Sequence, residues 1–149
     1  LWLSSAVGLL VTNIVYSHSV LDAIPDQKMG KKTMAHLMGG AKGQMALSAF
    51  INIVPYLLVL IAELQGQLHW AYLFVFVVLP LSLWLVRSLN DFVHHREVPI
   101  VIKPWMGPMG DFDAYRKAGI DWFLLRWLTA RNIVMMYCVI LIVVNFIVG

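Results

Sequence analysis

Ala46–Ala62, ALSAFINIVPYLLVLIA, and Leu68–Val86, LHWAYLFVFVVLPLSLWLV, are separated only by Glu63-Leu-Gln-Gly66-Gln67. Neither run contains Asp, Glu, Lys or Arg. Each approaches the roughly 20 helical residues that a hydrocarbon core requires. So short a link joins them as an antiparallel hairpin of two spanning helices. Pro55 and Pro80 predict kinks, which membrane helices tolerate when neighbours satisfy the freed carbonyls.

Outward from this hairpin, Leu1–Leu21 and Ile133–Val148 supply two more spans. The expected fold class is an all-α membrane protein with four transmembrane helices. Composition agrees: 60% of the 149 residues are hydrophobic and 13% are charged, against about a quarter charged in soluble domains. No internal repeat, low-complexity tract or soluble domain boundary interrupts the chain. A single cysteine, Cys138, excludes an intrachain disulfide. The chain opens inside an apolar run, with neither the basic leader nor the small-residue cleavage site of a signal peptide. Leu1–Leu21 therefore reads as a span, and residues 1–149 as the later part of a longer protein.

The basic residues orient the bundle. Lys28, Lys31, Lys32 and Lys42 follow the first span. Arg87, Arg96, Lys103, Arg116, Lys117, Arg126 and Arg131 lie between the third and fourth, which accounts for all eleven. With four spans both groups fall on one side, and the positive-inside rule makes that side cytoplasmic. The expected location is the inner membrane of a bacterium or archaeon. The bilayer is the expected surrounding, and nucleic acid is not an expected partner.

Between Asp91 and Arg131 a long loop is broken by Val98-Pro99 and by Lys103-Pro104-Trp-Met-Gly107-Pro108-Met-Gly110. Asp111 reads as the N-cap of a segment running to about Trp127. Trp105, Trp122 and Trp127 with flanking arginines predict an interfacial amphipathic helix along the headgroups. A lid over a lipid-facing site is the alternative. His94-His95-Arg96-Glu97 chelates poorly, because adjacent side chains diverge, and reads as a solvated loop.

The chemistry concentrates in Ser19-Val-Leu-Asp22-Ala-Ile-Pro-Asp26-Gln-Lys28-Met-Gly30-Lys31-Lys32-Thr33. Asp22 and Asp26 share a face if the segment is helical. Mg²⁺ commonly takes one or two carboxylates plus substrate phosphates and water. Lys28, Lys31 and Lys32 are placed to hold a diphosphate, although juxtamembrane lysines also serve topology and anionic lipid. Gly30 either admits a phosphate to the backbone or makes a turn. Upstream, Asn13 and Ser17 lie on one face of the first span. They line a polar cavity or bond helix to helix. No P-loop, dinucleotide glycine pattern or hydrolase elbow occurs.

Asn13 followed by Asp22-Ala-Ile-Pro-Asp26-Gln-Lys-Met-Gly30-Lys-Lys32-Thr33-Met-Ala resembles the second aspartate-rich motif of the UbiA superfamily of intramembrane prenyltransferases. Phe123-Leu-Leu-Arg126-Trp-Leu-Thr-Ala-Arg131-Asn132 is similar to the approach to that family's last helix. The resemblance implies that residues 1–149 are helices six to nine of a nine-helix bundle. It implies Mg²⁺-dependent transfer of a polyprenyl group from its diphosphate to an aromatic acceptor in quinone biosynthesis. Asp22 and Asp26 would be the metal-binding catalytic acids. Lys28, Lys31 and Lys32 would bind diphosphate, and Asn13 and Ser17 would line the cavity. The G-K-x-T stretch leans toward members that prenylate 1,4-dihydroxy-2-naphthoate for menaquinone, which often carry Arg where Leu21 stands here. The family's first motif, N-x-x-x-D-x-x-x-D, does not occur in these residues. The resemblance therefore implies a missing N-terminal half, on the same polypeptide or a partner, without which the chain is inactive. The alternative function is a non-catalytic membrane subunit whose loops dock a partner and whose acids cap helices.

Overall fold

Apolar runs of this length can satisfy their backbone groups in lipid only by winding into helices. The structure is a computed structural model describing residues 1–96 and 99–148. In chain order the elements are α1 (Trp2–Leu21), α2 (Ala23–Lys28), α3 (Met34–Leu37) and α4 (Ala41–Leu64). A 3₁₀ segment (Trp70–Val78) then runs directly into α5 (Leu79–Val93). A 3₁₀ turn (Pro104–Met106), α6 (Phe112–Lys117) and α7 (Asp121–Val148) complete the chain. No strand occurs among the described residues. The fold is all-α. Four helices are long and apolar enough to cross a membrane: α1, α4, the composite Trp70–Val93, and α7.

Several boundaries differ from the sequence reading, each for a physical reason. The helices outlast their uncharged runs, because one polar side chain on an outer face does not stop a helix whose other face is packed. Lys42 therefore lies in the first turn of α4, and Arg87 lies inside α5. The expected helix from Asp111 to Trp127 is two elements. Asp111 does cap α6, its Oδ1 accepting from the Ala114 amide at 3.1 Å. That helix closes at Gly119, with the Gly119 amide donating to Arg116 O and the Ile120 amide to Tyr115 O. Trp122, Arg126, Trp127 and Arg131 consequently belong to α7 rather than to an interfacial helix. Glu97 and Val98, parts of two sequence motifs, lie outside the described residues.

Proline shapes the third span. Pro80 has no N–H to give Phe76 O, and the Leu79 amide takes that carbonyl in a tighter turn. In a 3₁₀ helix residues three apart eclipse. Tyr72, Val75 and Val78 accordingly form one buried ridge, while Phe74 and Val77 face outward.

The contact between α1 and α4 is polar at its centre. Asn13 and Asn52, both fully buried, exchange reciprocal amide hydrogen bonds of 2.9 Å each. Asn52 also donates to Ser48 O at 2.9 Å, and Ser17 Oγ donates to Asn13 Oδ1 at 3.3 Å. Tyr16 donates to the Gln44 carbonyl at 2.9 Å, which is the i−4 acceptor that Ser48 would otherwise use. Among the described residues the buried Ser48 hydroxyl has no partner. Deeper in the bundle, Tyr56 pairs with Ser82 at 2.7 Å, and Tyr137 donates to Pro55 O at 3.2 Å. Gly43 permits the tight α3–α4 corner: a Cβ there would lie 1.9 Å from Met38 O.

Substituting Asn52→Leu strands the Asn13 amide and should cost about 1–3 kcal/mol. Changing both asparagines to leucine should recover part of that loss. Thermal unfolding in detergent measures both, and equal losses in single and double variants would show that the pair is not coupled.

Candidate functional site

The aspartates follow directly from the end of α1. The Asp22 amide donates to His18 O and the Asp26 amide to Asp22 O, each at 2.9 Å. α2 thus carries on the turn of α1, and the two acids lie one turn apart on it, as the spacing implies. Asp22 is the N-cap residue of α2 by position, yet its carboxylate makes no capping bond. Its Oδ2 instead meets His18 Nδ1 at 3.1 Å. The His18 ring in turn packs edge-on against Phe123 of α7, with centroids 5.1 Å apart. The Asp26 side chain is 16% exposed and Lys31 Nζ stands 4.0 Å from its Oδ1. With the lysine exposed, a contact at that distance is a weak tether.

The basic loop is held on both sides. α2 ends in a Schellman turn: the Lys31 amide donates to Asp26 O at 2.9 Å and the Gly30 amide to Gln27 O at 3.1 Å. Gly30 has φ 72°, the left-handed conformation such a turn demands. Its role here is the turn. After the loop, Thr33 begins α3. His36 Nδ1 accepts from the Thr33 amide at 3.2 Å and contacts Thr33 Oγ1 at 2.8 Å. With Nδ1 an acceptor, the opposite Nε2–H donates to Ala23 O at 2.8 Å. Ser19 Oγ accepts from the Ala35 amide at 3.1 Å, and Gln44 donates to Ala35 O at 3.0 Å. Three side chains, Ser19, His36 and Gln44, thereby pin α3 to α1, α2 and α4.

Between the pinned ends, Lys31 and Lys32 line a cavity of about 370 Å³ with Gln27, Gly30, His36 and Leu37. Lys28 is exposed on α2 and is not part of that lining. Asn13 and Ser17, read from sequence as cavity residues, have no accessible surface. Their side chains are consumed by the clamp to α4, the interhelical alternative that the sequence left open.

Sequence reasoning missed what secures the far side of this end. Arg126 is only 6% exposed. Its Nε donates to Ser88 O at 3.1 Å and Nη1 to Trp122 O at 2.6 Å. The guanidinium lies 5.3 Å from the Phe92 ring, which stacks on Trp122 with centroids 5.4 Å apart. One turn along α7, Arg131 donates to Pro108 O at 2.7 Å, and buried Asn132 donates to Met106 O at 2.8 Å. The signal in sequence was an adjacent Arg-Asn interrupting an otherwise apolar run.

Those oxygen donors at Asp22 and Asp26 suit a hard cation such as Mg²⁺. Among the described residues no three His, Cys, Asp or Glu side chains converge as metal ligands, so further ligands would come from phosphate, water or another segment. No family model, curated protein or solved structure matches this chain.

His94 and His95 do not chelate together. His94 Nδ1 bonds Asn90 O at 2.8 Å, while His95, at φ 53°, closes α5 in the position usually given to glycine. Replacing His95 with glycine should therefore raise stability, by about 1 kcal/mol, in chemical denaturation of the detergent-solubilised protein. A loss of similar size would mean the imidazole makes a compensating contact.

Proposed function

We propose that the chain is the C-terminal half of an intramembrane prenyltransferase of UbiA type, with its basic end at the cytoplasmic face. The observation supporting this reading is the company that Asp22 and Asp26 keep. Two carboxylates on successive turns, neither spent on a side-chain cap, adjoin a pinned loop whose Lys31 and Lys32 share one cavity. Acids for a divalent cation beside ammonium groups for phosphate, at one end of four apolar helices, match a lipid diphosphate.

In this reading Lys31 and Lys32 bind the diphosphate and offset its growing charge as it leaves, with Lys28 adding to the field from α2. Asp22 and Asp26 would hold Mg²⁺, which when bound neutralises phosphate oxygens. His18 orients Asp22 by its 3.1 Å contact. The bond between the prenyl C1 and the phosphate oxygen breaks, and both electrons leave with diphosphate. A ring carbon of the aromatic acceptor bonds to C1, and the proton on that carbon passes to water or to the departing diphosphate, which restores aromaticity. The pinning of the loop by Ser19, His36 and Gln44 fixes the cations before substrate arrives, so less ordering cost falls on binding.

A non-catalytic membrane subunit is the second reading. It draws on the fact that Asp22 and Asp26 already have partners in His18 and Lys31. Asp22→Asn and Asp26→Asn in the complete protein separate the two. Each should lower prenyl transfer by roughly a hundredfold or more while assembly, read by size-exclusion chromatography, is unchanged. Unaltered turnover would favour the subunit. The chain purified alone in detergent should show no Mg²⁺-dependent transfer, and robust turnover would refute the half-site.

A further inference from the structure

The α4–α5 face carries a second concentration of charge, away from the aspartates. Ala46 and Ala49 on α4, opposite Leu83 and Val86 on α5, leave an open groove of about 650 Å³. Lys42 and Arg87 stand at its basic end, both exposed. No carboxylate lines it. Asp91, the nearest acid along α5, is turned to Arg96 at 3.3 Å. Among the described residues neither Lys42 nor Arg87 forms an ion pair.

Arg87 sits six residues before the end of α5 at Val93, about 9 Å along the helix axis. An arginine exposed at that depth on a lipid-facing surface is costly unless an anion reaches it or it snorkels to the headgroups. Both routes lead to the same partner, because phosphate is the anion at that level. Guanidinium holds phosphate through two parallel N–H donors, and the Lys42 ammonium adds a point charge. Basic recesses between spanning helices on the cytoplasmic side suit anionic headgroups. We propose that the cationic, alanine-floored groove between α4 and α5 is a binding site for an anionic phospholipid. Its phosphate is held by Arg87 and Lys42, and an acyl chain lies along Ala46, Ala49 and Leu83. The site needs only that the basic end lie at a membrane surface, so it stands or falls separately from prenyl transfer.

The test is native mass spectrometry of the protein in mild detergent with equal amounts of phosphatidylglycerol and phosphatidylcholine. The wild-type chain should retain phosphatidylglycerol over phosphatidylcholine by roughly tenfold, the scale of one charge-assisted contact. The Lys42→Gln/Arg87→Gln double variant should lose that preference, and Arg87→Lys should keep part of it. Leu83→Trp, which fills the trough with its charges intact, should lower retention of both lipids, and it serves where the double variant fails to fold. Equal retention of the two lipids by the wild type would overturn the proposal, as would a preference that survives in the double variant. Displacement of the lipid by glycerol phosphate at equal concentration would identify a free-phosphate site instead. An Ala49→Cys variant that cross-links to another protein segment or a second copy would show the groove to be a protein interface and overturn the proposal.

Discussion

The reciprocal amide pair of Asn13 and Asn52 sets the geometry on which the basic end depends. Two primary amides facing each other satisfy donor with acceptor in both directions, and they do so at one register and one rotation only. Apolar helix faces in lipid slide and turn with little penalty, because hydrocarbon competes for the same contacts. The pair removes that freedom from α1. With its azimuth fixed, everything further along follows by helical geometry. Asp22 is nine residues beyond Asn13, about half a turn around the helix axis. The carboxylate is therefore carried to the side of α1 away from α4.

At the basic end the structure is built to hold a shape rather than to fill a core. Ser19 and Gln44 bond the backbone of α3, His36 joins the Thr33 amide to the Ala23 carbonyl, and Gly30 closes α2. None of these is an apolar contact. A polar loop at a bundle end cannot rely on hydrophobic burial, so its order comes from side chains that reach main-chain groups. The opposite corner repeats the solution with Arg126, Arg131 and Asn132, which hold the ends of α5 and α7 and the turn at Pro104–Met106.

The sequence exposed the spans because they are long uncharged runs, and a 21-residue stretch such as Leu1–Leu21 matched α1 almost residue for residue. It marked the acids and lysines as candidates because their types and spacing suit a cation and a phosphate whatever the tertiary structure. Pairings across the bundle were hidden. Nothing at Asn13 announces Asn52, 39 positions away, and a buried asparagine looks the same as one lining a cavity. Arg126 was misplaced for a related reason: an arginine beside tryptophans reads as interfacial, yet here carbonyls and the Phe92 ring supply enough partners to bury it. His36 carried no signal, since its role depends on a threonine amide and on a carbonyl thirteen residues earlier.

The 3₁₀ winding of Trp70–Val78 changes how far a given length of chain reaches. At about 2.0 Å per residue instead of 1.5 Å, its nine residues rise roughly 18 Å where an α-helix would rise about 13.5 Å. The composite third span and α4 each contain 24 residues, yet the third is taller by roughly 4–5 Å. Such a difference is of the order that separates thin membranes from thick ones, so the same number of residues gives the third span more reach across a bilayer than α4.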